Sequence, residues 1–391
     1  MRAYLFSAAM SLAAILPLAA HAADQDWKVS VSATASAQTN DNIFAVATKQ
    51  TSDTVLGFSP RVDLSHELEN AKISAYLDGD FSRYSSNSTE DTADYGFGAA
   101  YHAKANGLTV DADASHALNT ESRRAKNARR DATKRTEFKV DTYGGALGTD
   151  VAGGTLSGGL RYTNLNYQNV RSKTGAVILQ DDRDHKVMDE HVAYSWGSNT
   201  SYSLSADFTQ LNYDLTAPVA RHNRDSKGYT LSAGVSQTFS KTVNGSASIG
   251  YTTRSFDEVK FSDVTDVSLS ANLNWTPDSD TQVGLSASRS LQETVVPNSP
   301  VYIASSVGAN LSRQVTDKVG VAAYVSYEWD DHQGVDRSDN VTGLGLSTSI
   351  AITKGLAVSV AYDYSKEDSS GAVKSAGYDN NLFSARLTAK F

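Results

Sequence analysis

Apolar and polar residues alternate along almost the whole chain, in runs broken by a very short turn and then a longer polar loop, over and over. The closing run is the clearest of them. Phe383, Ala385, Leu387, Ala389 and Phe391 fall on one face, and Ser384, Arg386, Thr388 and Lys390 on the other. That period of two belongs to a strand with a different medium on each side. Reading the runs in order predicts strands over 27–38, 54–68, 71–84, 93–104, 107–118, 136–150, 154–167, 185–196 and 200–213. The second half continues with 226–239, 243–256, 264–275, 280–294, 301–315, 318–329, 340–352, 355–366 and 378–391. About 18 sequentially joined strands result. They are too rich in Ser, Thr, Gly and Ala to enclose the apolar core that a soluble sandwich or β-helix needs.

The fold class that follows is all-β, a transmembrane antiparallel up-and-down β-barrel of outer-membrane type with lipid outside and water inside. An even strand count puts both ends on one side, so the short turns face the periplasm and the long loops the cell surface. A barrel of this size surrounds water, whereas a barrel of about eight strands is filled by its own side chains. The expected architecture is therefore a channel.

The two ends agree with this reading. Residues 1–22 carry one basic residue (Arg2), an apolar run and the small-residue site Ala20-His21-Ala22, the layout of a secretory signal peptide cut after Ala22. Residues 23–391 are then one barrel domain in the outer membrane of a Gram-negative bacterium. No later segment reaches the roughly 18 apolar residues of a membrane-spanning helix. The absence of Cys excludes disulfides, thiolate metal sites and an acylated cysteine. Loss of Arg2 leaves 34 basic against 44 acidic residues, a net charge of −10, which is unlike a nucleic-acid binder. The terminal Phe391 matches the signal that the barrel-assembly machinery recognises.

Alternation also assigns faces. Ile73, Ala75, Leu77 and Phe81 are expected toward lipid. Arg61, Asp63, Asp78 and Asp80 are expected to line the lumen, with Asp111, Asp113, Lys139 and Asp141 further along. Arg161, Asp207, Asp363 and Arg386 complete the set. Tyr84, Tyr95, Tyr162, Tyr213, Tyr229, Tyr251, Tyr362 and Tyr364 form an expected outer aromatic girdle. Trp27, Trp196, Phe239, Trp275 and Phe391 form the periplasmic one.

Thr39-Asn-Asp-Asn-Ile-Phe44 after the first strand resembles the aromatic-Asp-Asp-Asn-aliphatic-aromatic pattern of a family of outer-membrane barrels, the putative β-barrel porin 2 family. Ser52-Asp-Thr54 with Phe58-Ser-Pro60, Glu90-Asp91 with Asp94-Tyr95, and the closing strand extend the resemblance over the mature chain. Thr39 and Asn40 depart from the commoner aromatic and Asp. The family is associated with exopolysaccharide synthesis and export loci. The resemblance thus implies a pore through which an exopolysaccharide or capsular-type polymer leaves the cell, working with periplasmic or inner-membrane export components. Tyr76, Tyr143 and Tyr324 alternate to the inside and are candidate glycan-stacking residues; filling space or making structural hydrogen bonds is the plain alternative.

The sharpest local feature is the loop 119–135, which holds Arg123, Arg124, Lys126, Arg129, Arg130, Lys134 and Arg135 against only Glu121 and Asp131. On the surface it would meet lipopolysaccharide phosphates or stay solvated, which is the favoured reading over attraction of an acidic glycan. No catalytic set emerges, and no cofactor or metal is expected. Asp181-Asp-Arg-Asp-His185 has the ingredients of water activation but lies in one contiguous loop. No metal-ligand spacing links the His residues. The sequence favours a transporter over an enzyme. It leaves a solute porin, or an adhesin or enzyme on a barrel scaffold, as the alternatives to polymer export.

Overall fold

Each alternating run forms a strand, because once the chain lies between lipid and water every backbone N–H and C=O needs a partner on a neighbouring strand. The computed structural model describes residues 27–215 and 223–391; the expected signal peptide and its cleavage site at Ala22 lie outside the described residues. The strands are β1 (Trp27–Asn40), β2 (Asp53–Glu67), β3 (Ala71–Tyr84), β4 (Thr92–Ala105), β5 (Leu108–Thr120), β6 (Glu137–Val151) and β7 (Gly154–Tyr167). A two-residue hairpin, β8 (Val170–Arg171) and β9 (Val177–Ile178), sits in the following loop. Then come β10 (His185–Gly197), β11 (Thr200–Tyr213), β12 (Ser226–Thr238), β13 (Val243–Phe256), β14 (Val264–Trp275) and β15 (Thr281–Glu293). The chain ends with β16 (Val301–Thr316), β17 (Val319–His332), β18 (Ser338–Thr353), β19 (Leu356–Ser370) and β20 (Tyr378–Lys390).

All but β8 and β9 belong to one 18-stranded antiparallel sheet, and β1 pairs with both β2 and β20, so the sheet is closed. Closure removes the exposed edges that an open sheet of this size presents. The short turns are tight. Between β4 and β5, Asn106 and Gly107 both have positive φ, 52° and 78°, the two-residue arrangement whose twist suits a hairpin.

The outward face is apolar, with Leu147, Leu204, Ile249 and Phe383 among its exposed side chains. Tyr95, Tyr162, Tyr229, Tyr251, Tyr362 and Tyr364 lie on that face at the long-loop end, while Trp27, Trp196, Phe239, Trp275 and Phe391 stand at the short-turn end. Tyr84 and Tyr213 do not join the outer girdle. Both turn inward: the Arg135 guanidinium lies over the Tyr84 ring, and the Tyr213 hydroxyl donates to Glu293 at 2.6 Å.

Candidate functional site

The register sets opposite charges side by side on the inner face. Arg61 lies across from Asp78, and Asp63 across from Tyr76. The Arg61 guanidinium donates to Asp63 at 2.7 Å and to Asp78 at 3.4 Å, and the Ser59 hydroxyl donates to Asp80 at 3.3 Å. Further round the wall, His102 Nδ1 and Asp111 are 2.7 Å apart, Arg161 donates to both oxygens of Asp113 at 3.0 Å, and His191 Nδ1 and Asp207 are 2.6 Å apart. Asp363 accepts from the Tyr324 hydroxyl at 2.9 Å. Arg386 lies opposite Ser36 and Ser359, on the face where Thr34 and Thr388 bond. These groups remain wet: Arg161 and Asp113 keep 50% and 36% of their side chains exposed. Each such pair is worth at most about 1 kcal/mol.

One strand reverses its expected facing. Gly144 of β6 lies opposite Asp113 and Arg161, so the even-numbered residues of β6 face the lumen. Lys139, Asp141 and Tyr143 therefore face outward. Tyr143 is 55% exposed beside Tyr162, and Asp141 pairs with His116 at 2.7 Å next to the Phe97 ring. Polarity misleads here because the lumen face of β6 is Phe138, Val140, Thr142, Gly144, Ala146 and Gly148, with little to distinguish it. Lys139 and Asp141 stand at the long-loop end, where the outward face has left hydrocarbon for headgroups.

Tyr76 and Tyr324 do face the lumen, in different settings. The Tyr76 ring carries the Arg61 guanidinium at 4.7 Å, so this face is already taken. Tyr324 lies flat on Gly345 with its hydroxyl on Asp363, and a Cβ at Gly345 would run into the ring. Gly144 has the same use: it leaves the passage through which Arg161 reaches Asp113.

The basic segment is not a solvated surface loop. It crosses the mouth of the barrel as a strap, tied to walls on the other side of the lumen. Arg123 binds Glu90, and Arg135 donates to the Glu90 carbonyl. Arg129 reaches Asp182 at 3.1 Å and Arg130 reaches Glu367 of β19 at 2.9 Å. Lys126 bonds Asp330 and lies 3.5 Å from Glu328, both on β17. Arg124 donates to Ser365 and Asn380 on β19 and β20. Only Lys134, paired with Glu137 at 3.3 Å, stays near the surface. Burial alone would lower the Lys126 pKa, but the hydrogen bond and charge of Asp330 outweigh it and hold the ammonium above its ordinary value. The anchoring carboxylates Glu90, Asp330 and Glu367 were missed from sequence. Glu328, Asp330 and Glu367 sit at lumen-facing positions near the tops of their strands, the signal that an excess of cations nearby would have completed.

The segment 39–44 clasps the seam between β1 and β20. Asp41 accepts from the backbone N–H and side-chain amide of Asn381 at 2.7 and 2.6 Å, and Asn42 donates to Val46 and Asp379. Ile43 is buried, and the Phe44 ring lies under Arg123 and Lys173, so the first loop packs on the strap. The 181–185 segment is scaffolding as well. Arg183 pairs with Glu121 and lies over Tyr167, Asp184 accepts from the Tyr167 N–H at 2.5 Å, and His185 Nε2 is 3.2 Å from Glu293. Burial raises the Asp184 pKa despite that bond. No cluster of three or more metal-binding side chains occurs among the described residues.

A closed 18-stranded barrel with an apolar belt, a wet charged lumen and a loop across its mouth defines an outer-membrane channel of the porin type. The chain belongs to the family described as putative beta-barrel porin 2, whose model matches residues 26–391. Solved structures with a similar fold include Pseudomonas aeruginosa OccK3 (OpdO), 12% identical over 94% of this chain and 96% of that one, with a TM-score of 0.50. Pseudomonas aeruginosa OccK9 (OpdG) is 14% identical over 94% and 99%, with a TM-score of 0.50. The copper transporter OprC is 11% identical over 94% and 81%, with a TM-score of 0.51. At these identities the likeness is one of fold. No curated protein sequence matches the chain.

Proposed function

We propose that this barrel conducts an exopolysaccharide or capsular-type polymer outward across the outer membrane. The observation that carries the reading is the self-paired lumen: Arg161 cancels the charge of Asp113, and Arg61 offsets one of the two carboxylates it touches, Asp63 and Asp78, while all remain wet. A polymer must pass many sites without stopping at any of them. A wall of hydrogen-bonded carboxylates, partly offset by Arg61 and Arg161, and small hydroxyl side chains offers weak, repeated hydrogen bonds. The Tyr324 ring, held flat on Gly345, adds one apolar surface for a pyranose face. The resemblance to barrels of polysaccharide loci points the same way, and with it come the partners: the polymer, lipopolysaccharide, the barrel-assembly machinery and export components in the periplasm or inner membrane.

The strap favours a second reading, a diffusion porin for small solutes, because a segment tied to β17 and β19 narrows the mouth. Surface and periplasmic polysaccharide, measured in a deletion strain and its complemented derivative, separates the two. Lost surface polymer, restored by the intact chain, is the expected result. Unchanged polymer together with steady ion conductance in a bilayer leaves the solute porin.

A further inference from the structure

Among the described residues, the barrel wall has one long break in its hydrogen bonding. β14 and β15 share a ladder from Trp275↔Val283 up to Leu269↔Arg289 and no further. Yet β14 stays paired with β13 up to Val264, and β15 with β16 up to Glu293. Residues 264–268 and 290–293 thus continue toward the long-loop end with no ladder between them.

The cause lies at the tip of β15. The Glu293 carboxylate accepts from Tyr213 at 2.6 Å and lies 3.2 Å from His185 Nε2 and 3.8 Å from Arg254, on β11, β10 and β13. Asn127 of the strap also donates to its carbonyl at 3.2 Å. A strand drawn over the lumen by its end cannot also follow β14 up the wall.

The Arg289 side chain bolts the break. Arg289 occupies an outward position on β15, opposite Leu269 and just below the level of Tyr251, where a charged side chain facing lipid is unfavourable without a partner. Instead it donates to Asp266 at 3.0 Å, on the lumen-facing side of β14, and to Ser305 at 2.8 Å. Outside the break are the exposed apolar side chains Val267 and Leu269; inside are Ser268 and Ser290. The break opens at the level of the outer aromatic girdle, where Val267 lies opposite Tyr251. A molecule with one polar head and one apolar chain fits both sides at once, with its head against the open edges and its chain in lipid.

We propose that the β14–β15 break is a lateral portal between the lumen and the outer leaflet, admitting single-chain amphiphiles past the Arg289–Asp266 bolt. The chain lacks Cys, so S268C and S290C can be introduced together and bridged with a short bis-maleimide. The control is the same variant capped with a mono-maleimide. Each barrel is placed in a planar bilayer containing lysophosphatidylcholine, and its ion current is recorded. Transient blocks that grow more frequent with lysolipid content, disappear on bridging and increase in R289A are the expected result. Equal block frequency in bridged and capped barrels, or a steady current with no lysolipid effect, overturns the portal and leaves the channel reading standing. A barrel that carries no current in any form overturns the channel reading, and the portal with it.

Discussion

Arg123 and Glu90 form a two-pronged ion pair, Nε to Oε2 at 3.0 Å and Nη2 to Oε1 at 2.7 Å, with 3% and 1% of their side chains exposed. Neither residue belongs to the barrel wall. Glu90 ends a single helical turn (Ser88–Glu90) between β3 and β4, and Arg123 opens the strap. The pair therefore anchors one loop to another above the lumen, and Arg135 shares the same anchor.

Removing one partner of a buried pair strands the other and costs about 3–5 kcal/mol. Glu90→Ala is expected to free the near end of the strap while the barrel remains folded. Trypsin should then cut within 123–135, and single-channel conductance should rise. A variant that resists trypsin and conducts as the parent does would show that the strap is held without Glu90.

The far end of the strap should respond to alkali. The Lys126 pKa is raised in the folded protein. Its contribution is therefore complete below the ordinary lysine value of about 10.4 and is lost as pH rises through the folded value. Conductance should stay flat from neutral pH to about 10 and increase beyond it. Lys126→Met should remove this alkaline step, since it leaves no ammonium to titrate. A step that persists in the variant belongs to another group.

Gly345→Val tests the flat seat of Tyr324. The added side chain must displace the ring, an overpacking cost of about 1–3 kcal/mol, and the ring must swing into the lumen. Urea unfolding in lipid vesicles should show the loss, and conductance should fall. Adding Tyr324→Ala should restore both.

The facing of β6 is open to a paired test. Tyr143→Arg places a charge on the outward face opposite the girdle residue Tyr162 and should destabilise the barrel, whereas Thr142→Arg enters the lumen and should cost little. Reversal of that order would restore the expectation drawn from Lys139 and Asp141.

Period two was legible wherever the two faces differ in polarity. In β20 the contrast of Phe383 and Leu387 with Ser384 and Arg386 fixes both strand and facing. In β6 the strand was legible and its facing was not, because glycine and alanine on the lumen side and Lys139 on the other carry no contrast of the usual sign. The strap was visible as a charge cluster, but its place was hidden. A local excess of cations says nothing of which carboxylates meet it, and those here come from residues as distant in sequence as Glu367. Tyr84 and Tyr213 were misplaced for a related reason. An aromatic near a strand end suits a membrane interface and a loop-covered vestibule equally well.

The pairing of Thr34 with Thr388 joins positions 354 residues apart, across the seam where β1 meets β20. The ring cannot shut until the last strand has been made. Throughout synthesis and transit the chain must be kept from premature or mistaken pairing, and its final step waits on the slowest kind of contact, one between opposite ends of the polymer. The clasp of Asp41 on Asn381 beside that seam adds a side-chain tie at the one junction that no turn connects.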